Sequence, residues 1–399
     1  MAEQQIDILI IGGGLTGAAL MLALEGKGFS TLLVEANSFS DRVSPDFDAR
    51  TLAISPASVR ILQMLGVWPM VAHAATPINS IHVSEQGRFG TACLDNSSTR
   101  ELGFVIEMQH INRAMHQLLD HRNLMVPARL IALDSVSGIV TIQQAGIEKI
   151  LRARLVVAAD GAESSVRRLS GLEVAIKDYS QQAIIANIGL NRTHANRAYE
   201  RFTRSGPLAM LPMTDNRAAL VWALRPQDAT RIMALDDSDF LKQLEQVFGY
   251  RLGRFNKIGK RFVYSLRQVI MPKQIAWPLV FIGNAAHTLH PVAGQGFNLG
   301  LRDVASLAQC IVEYGLDADM LENYESMRRY DQVSITRLTD GLADVFTKRI
   351  PGFGILRSLG LMAMDSSSVL QKILTHHAAG FAGTIPDLAC GINTPDRRA

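Results

Sequence analysis

The sequence has little cysteine, no excess of one charge sign and no long uninterrupted apolar run, and each shortage removes a class of protein. Only Cys93, Cys310 and Cys390 occur, far apart, odd in number and without C-x-x-C spacing. Neither a zinc site nor a disulfide framework is expected, and a reducing, cytoplasmic compartment fits that usage. The 40 basic residues stand against 37 acidic ones, a formal net charge of +3. So near a balance leaves no electrostatic footprint for nucleic acid. No Ser-His-Asp arrangement stands out. His287 and His290 sit three apart without Asp or Glu nearby, so no metal pair is expected. Ile6 to Leu24 is apolar enough to suggest a signal peptide or a membrane span. Asp7 and three consecutive glycines interrupt it, no Lys or Arg precedes it and no cleavage-type site follows, which argues against both.

What is present begins in that same stretch. A chain of 399 residues with 48% hydrophobic content can bury a large core, as two domains or one elaborated domain. The apolar run Ile8 to Ile11 leads into Gly12, Gly14 and Gly17 in G-x-G-x-x-G spacing, followed by a helix-forming segment rich in Ala and Leu. Glycine is needed to turn the chain, to let a pyrophosphate approach the backbone and to pack helix close to strand. The helix N-terminus supplies free N–H groups for the phosphates. A second short strand, Thr31 to Val34, ends in Glu35. It lies about 20 residues beyond the glycines, where a carboxylate accepts hydrogen bonds from a ribose. The chain has one such fingerprint, not two.

Further along, Ala36 to Arg50 is a polar loop, and Arg50 follows Asp46 and Asp48 closely enough for a local ion pair. Ser55 and Pro56 read as N-cap and first-turn proline of a helix running to Leu65. Strand-like alternation from Ile78 to Leu94 marks an excursion out of the nucleotide domain. Gln109 to His121 returns to helical periodicity, with Ile111, Met115, Leu118 and Leu119 on one face. Strands are predicted around Leu124 to Val126, Ile139 to Gln143 and Leu155 to Ala159. The last ends in Asp160-Gly161, which puts a carboxylate at the carboxyl edge of the sheet.

Residues 182–224 carry four candidate strands, including Ala198 to Thr203, Pro207 to Met213 and Ala218 to Leu224, with a turn at Asp215-Asn216. Phe202, Leu208, Met210 and Trp222 are expected on one face, as core or as the wall of an apolar pocket. A helix over Asp237 to Phe248 and a strand over Lys260 to Val269 lead back to the strand Trp277 to Gly283. That strand opens the segment IGNAAHTLHPVAGQGFNLGLRDV, Ile282 to Val304. Gly294, Gln295 and Gly296 feed a helix that starts near Phe297, a second loop able to hold negative charge. A long helix, Leu321 to Phe346, follows. Two tail helices near Phe353 to Met364 and Ser368 to His377 carry Phe353, Leu356, Leu359, Leu361 and Met362 on an apolar side that packs on the body or docks on a membrane or partner. Thr394 to Ala399 is polar and expected to fray.

Taken together, Gly12 to Gly17 with Glu35, Asp160-Gly161 with Arg167, and Gly283 to Asp303 resemble the class A flavin-dependent aromatic hydroxylases of the p-hydroxybenzoate hydroxylase fold. GNAAHTLHPVAGQGFNLGLRD resembles the ubiquinone-biosynthesis branch, and FDARTLAIS and ERFTRSGPLAMLPM resemble its 2-polyprenyl-6-methoxyphenol hydroxylases. The resemblance implies an α/β fold: a Rossmann-like FAD-binding domain with an inserted antiparallel-sheet substrate domain and a C-terminal helical segment. The divisions expected are 1–76, 101–180 and 269–346 for FAD, 77–100 and 181–268 for substrate, and 347–399 for the helical segment.

It also implies FAD as cofactor and NADH or NADPH as transient reductant. Gly12, Gly14 and Gly17 would cradle the pyrophosphate, Glu35 would bind the adenosine ribose and Arg50 would lie along the cofactor, with Leu15, Thr16 and Ala36 in the same cofactor-binding set. Arg113 and Asp160 join the FAD set. Pro291, Gly294, Gln295, Gly296, Phe297, Asn298 and Leu299 would border the isoalloxazine, the N–H groups around Gly296 to Asn298 stabilising the anionic reduced ring. Asn284 stands where family members usually have Asp, which keeps a hydrogen bond to the ribityl chain but removes charge.

The implied reaction hydroxylates a polyprenylated methoxyphenol with O2 in ubiquinone biosynthesis, the electron-rich ring itself attacking activated oxygen, so no protein nucleophile is required. The protein must orient the ring, favour the phenolate and exclude water. His290 and Tyr199 are the candidates for a base acting on the phenol. Alternatives are another ring hydroxylase of the pathway, a flavin dehydrogenase or prenyl reductase of the same fold, and a non-catalytic nucleotide-binding subunit. A cytoplasmic location, peripheral on the inner membrane or within a biosynthetic complex, is the expectation, with the oligomer open.

Overall fold

Apolar strands joined by glycine corners build the first layer. In the computed structural model, which describes residues 4–39, 47, 50–95, 101–289, 294–347 and 353–393, the strand Gln4–Ile11 pairs in parallel with Thr31–Val34 on one side and Ile147–Ala158 on the other. Leu124–Met125 and Leu279–Phe281 extend the parallel sheet at either edge. Its central strands are apolar on both faces, as a sheet covered on both sides requires. The helices Leu15–Leu24 and Gln295–Tyr314 cover one face, and Ile8, Ile10, Leu20, Leu301 and Ile311 meet there in one buried cluster. The sequence missed the strand Arg129–Asp134, whose mixed exposure lacks a clean alternation; it pairs with Ile139–Gln144 as a hairpin laid against Ile147–Ala158.

The second layer is a nine-stranded sheet centred on Ala175–Leu190, Arg217–Leu224, Pro207–Met213 and Arg197–Phe202. These are the four strands expected over 182–224, the first being longer than read. Asp215 and Asn216 take positive φ values of 57° and 53°, the left-handed pair that a tight hairpin turn requires. The excursion near Ile78 to Leu94 joins the same sheet through Ser80–Glu85 and Thr91–Asp95. Several divisions expected from sequence fall inside elements: Ala175–Leu190 runs across 180, and Phe262–Ile270 runs across 268.

The two faces of this sheet differ. Leu208, Met210, Leu220 and Trp222 pack under Phe240, Leu244 and Phe248 of the helix Asp237–Phe248, so these residues are core. Phe202 is not among them, contrary to expectation. Register pairs Phe202 with Pro207 and Arg201 with Leu208, and one residue of offset in a pleated strand reverses the face. Phe202 therefore belongs to the other face, which looks toward the nucleotide-type sheet. A small sheet of Thr51–Ile54, Gly103–Glu107 and Thr76–Ile78 bridges the two layers, with Ile78 and Val105 packed on Ala198 and Ala219.

Candidate functional site

Three glycine-bearing corners meet where the layers face each other. At the first, Gly12 takes φ +106°, and a Cβ there would stand 2.5 Å from the Ala159 carbonyl and 2.7 Å from the Asp160 Cα. The phosphate-type loop and the Asp160 turn are thus in direct contact. A Cβ on Gly17 would lie 1.9 Å from the Gly12 carbonyl, so that glycine is required by packing alone. At the third corner, a Cβ on Gly283 would strike Thr16 Oγ1 at 2.8 Å, and one on Gly300 would approach the same atom at 3.3 Å. Gly294, at φ +61°, rests against Ala53.

Polar contacts fix these corners. Glu35 accepts the Gly13 N–H at 2.7 Å on one oxygen and the Asn37 N–H at 2.8 Å on the other. A carboxylate offers about four acceptor positions, which leaves room for a hydroxyl donor. Asp160 Oδ2 accepts from Ser165 N and Oγ at 2.6 and 2.7 Å, while its buried Oδ1 has no partner among the described residues. Arg167 donates to the Ala285 carbonyl at 2.8 Å and the Ala162 carbonyl at 2.5 Å, stitching the second corner to the third.

The arrangement fits a bound dinucleotide on three counts. Helices Leu15–Leu24 and Gln295–Tyr314 both begin on glycine, with no side chain capping their N–H groups; such orphan donors need a partner. Gly14 and Gly296 face open space where a Cβ would touch nothing within 4 Å. The unpartnered Asp160 Oδ1 is a buried acceptor awaiting a donor.

Not every predicted site residue faces that space. Asn298 spends its side chain on a clamp: Oδ1 accepts from Ser55 N at 2.8 Å, and Nδ2 donates to the Ala53 and Gly294 carbonyls, each at 2.9 Å. Leu299 is wholly buried with Leu289 and Ile335. These two can offer only backbone groups. Arg113 is exposed on the helix Met108–Leu118, and Ala36 and Asn284 are exposed beside their turns. Arg50 stacks its guanidinium 5.0 Å from the Tyr264 ring centre and 5.6 Å from that of Phe262. Its predicted partners Asp46 and Asp48, like His290 and Pro291, lie outside the described residues.

Tyr199 does not suit the role of base. It sits on the helix-covered face, edge-on to Phe248 at 5.5 Å, because its register partner is Met210. The adjacent residue, Glu200, points the other way. One register row crosses that face: Val83, Glu200, Ala209, Val221, Ile185 and Phe262. All six keep accessible surface, while Ala198, Ala219, Phe202, Pro207 and Ala223 in the flanking rows are buried. The row forms an accessible strip about 24 Å long on this face, from five strand spacings of about 4.8 Å.

Sequence reading also missed a supporting set. His116 reaches the Gly13 carbonyl at 3.3 Å and stacks on Phe39 at 3.7 Å. Arg217 and Glu107 form a buried ion pair at 3.0 Å beneath the small bridging sheet. Behind the third corner, Asp303 accepts from Gly283 N at 3.1 Å, pairs with His287 at 2.5 Å and takes Arg328 Nε at 2.8 Å. Burial would raise the Asp303 pKa, but His287 and Arg328 more than reverse this and hold it well below the carboxylate range. His287, once half of a conceivable metal pair, is thereby committed to Asp303.

Comparison with known proteins agrees with this geometry. The FAD binding domain family model matches residues 5–338. Ubiquinone hydroxylase UbiL of Rhodospirillum rubrum is 34% identical over 393 residues, covering 95% of this chain and 90% of that protein. The 3-demethoxyubiquinol 3-hydroxylase of Escherichia coli is 32% identical, covering 95% of this chain and all of that protein (100%). Among solved structures, p-nitrophenol 4-monooxygenase PnpA of Pseudomonas putida superposes with a TM-score of 0.77 over 95% of this chain and 99% of its own, at 16% identity, a likeness of fold. The chain belongs to the FAD binding domain family, in its branch of ubiquinone-pathway FAD hydroxylases.

Proposed function

We propose that this protein uses FAD, NAD(P)H and O2 to hydroxylate the ring of a polyprenylated phenol on the route to ubiquinone. One observation carries the reading: three glycine corners, two of them with open N–H groups, meet beside an accessible, largely apolar floor. Bound FAD, reduced by NAD(P)H, supplies the oxygen-activating chemistry that places one oxygen atom on the ring. The remaining work falls to the chain.

Gly12, Gly14 and the first turn from Leu15 to Gly17 hold the pyrophosphate, and Glu35 the adenosine ribose. Asp160 presents its unpartnered oxygen to a cofactor hydroxyl, and Asn284 takes a ribityl hydroxyl. Backbone N–H groups at Gly296 to Leu299 stabilise negative charge at the ring edge. Arg50, held over Phe262 and Tyr264, flanks the cofactor at one end of the floor. The apolar floor orients the aromatic ring and excludes water.

The relatives leave two substrates in view, the 2-polyprenyl-6-methoxyphenol suggested by sequence segments and a 3-demethoxyubiquinol of the kind named for the Escherichia coli protein. Purified protein should turn yellow with FAD and oxidise NADH or NADPH faster when a short-prenyl phenol of either type is added. Absence of both responses would support a non-catalytic nucleotide-binding role instead. A peripheral membrane location suits a prenylated substrate. No described helix is long and apolar enough to cross a membrane, while Leu359, Met362, Val369 and Leu370 of the tail helices are between 45% and 64% exposed.

A further inference from the structure

Glu200 is the anomaly of this accessible floor. The floor around it is apolar, yet a carboxylate occupies the position between Val83 and Ala209. Among the described residues, no hydrogen bond or ion pair reaches that carboxyl. A buried ionisable group without a partner costs stability, and such groups collect where chemistry requires them. Glu200 is largely enclosed by protein yet retains accessible surface, so it lies on the accessible face of the sheet rather than in the core. Its neighbour Ala209 has the smallest side chain in the row, leaving room beside the carboxyl for a flat ring.

We propose that Glu200 accepts the proton of the substrate's ring hydroxyl as the ring reacts, giving the attacking ring the electron density of a phenolate. In this step the ring O–H bond breaks and a carboxyl O–H bond forms; one proton moves and no electron is transferred. The inference rests on the ring-hydroxylase reading above and adds the residue that favours ionisation, in place of Tyr199 on the opposite face.

Burial pushes the Glu200 carboxyl up to about 7. An ordinary carboxylate is too weak a base for a phenol near pKa 10, whereas a group near the working pH is matched to the transfer. The charged groups around this face do not offset that effect. Arg217 is neutralised by Glu107, with His110 at 3.6 Å from the same carboxylate. Arg50 lies at the Phe262 end of the row, Glu85 lies beside Phe202 toward the outer edge, and Asp365 of the tail engages the backbone of Cys93 at the sheet edge.

The test compares wild type, Glu200→Gln and Glu200→Asp as flavin-loaded proteins, with a short-prenyl 2-methoxyphenol as probe. Gln keeps the shape and removes no bond to any described residue, so the flavin spectrum should persist. Hydroxylation should fall by about 10²- to 10⁴-fold and lose its rising limb near pH 7, while Asp retains that limb with part of the rate. The ultraviolet absorption of the bound probe at pH 7.5, well below a free phenol's pKa, should lie further to the red in wild type, where the ring hydroxyl donates to a carboxylate, than in Glu200→Gln. An unchanged pH profile together with an unchanged spectrum of the bound probe would overturn the proposal. If wild type fails to hydroxylate the probe at all, the ring-hydroxylase reading falls, while the bound-probe spectrum still decides the part assigned to Glu200.

Discussion

Gly14 and Gly17 stand three residues apart and do different jobs. A Cβ on Gly17 has no room against the Gly12 carbonyl, whereas one on Gly14 meets nothing, and Gly14 has an extended backbone that any residue adopts. Gly14→Val should therefore fold and still lose FAD, raising the dissociation constant on the order of 100-fold, about 2.7 kcal/mol, in a flavin fluorescence titration. Gly17→Ala should instead fail to accumulate as folded protein. Retention of tight flavin binding by Gly14→Val would contradict the placement of the phosphates. At Glu200 the sign of the pH effect is equally definite. Its folded pKa of about 7 exceeds the ordinary 4.5, so the native state holds a proton that the unfolded chain releases. Wild type should lose stability relative to Glu200→Gln as pH rises from about 4.5 to 7, then stay level above that. Thermal midpoints of the two proteins across this range check it.

At the scale of elements, the third corner depends on a buried charge network linking Gln295–Tyr314 to the long helix Ala318–Thr347. Asp303 joins Gly283, His287 and Arg328, and Arg302 and Arg328 both reach Asp331 at 2.7 Å. Removing one member leaves buried charge uncompensated, so Asp303→Asn should cost about 3–5 kcal/mol in denaturant unfolding. The depressed Asp303 pKa sets the direction with acid: its contribution is present above about pH 4 and declines as pH falls. The variant should lack that acid-side loss. The glycine corners, the Ser55 cap and the Asp215-Asn216 turn were legible in the sequence because each expresses a local backbone demand. Strand faces were not, since period-2 alternation shows that sides differ without saying which partner sets the register. Tyr199 and Glu200 are adjacent, and only the pairing with Met210 and Ala209 assigns one to the core and the other to the opposite, accessible face. The Asp303 network joins residues up to 29 apart with no short motif to announce it.

For the whole molecule, the resemblance carried the layer order correctly, but the tail is less separable than its sequence suggests. Leu388 and Ala389 lie in the core of the first layer, the Ala379 carbonyl accepts Ala57 N–H at 3.1 Å, and the Asp387 N–H reaches Gln309 at 3.1 Å. Leu361 is buried, while Leu359 and Met362 are not. Truncation after Ile350 would thus damage the flavin-binding layer along with any docking surface. Changing Leu359, Met362, Val369 and Leu370 to Ser should leave flavin binding intact and reduce co-sedimentation with anionic phospholipid vesicles; unchanged sedimentation would count against docking through this face.

The central claim, that the converging corners and the apolar floor form a flavin site delivering oxygen to an aromatic ring, is tested most directly by isotope. Flavin-loaded protein is supplied with NAD(P)H, a short-prenyl phenol and ¹⁸O₂, and the product is weighed by mass spectrometry. The account predicts one heavy oxygen atom in each hydroxylated ring. A product formed without heavy oxygen, or oxidised equally well in the absence of O2, would contradict it.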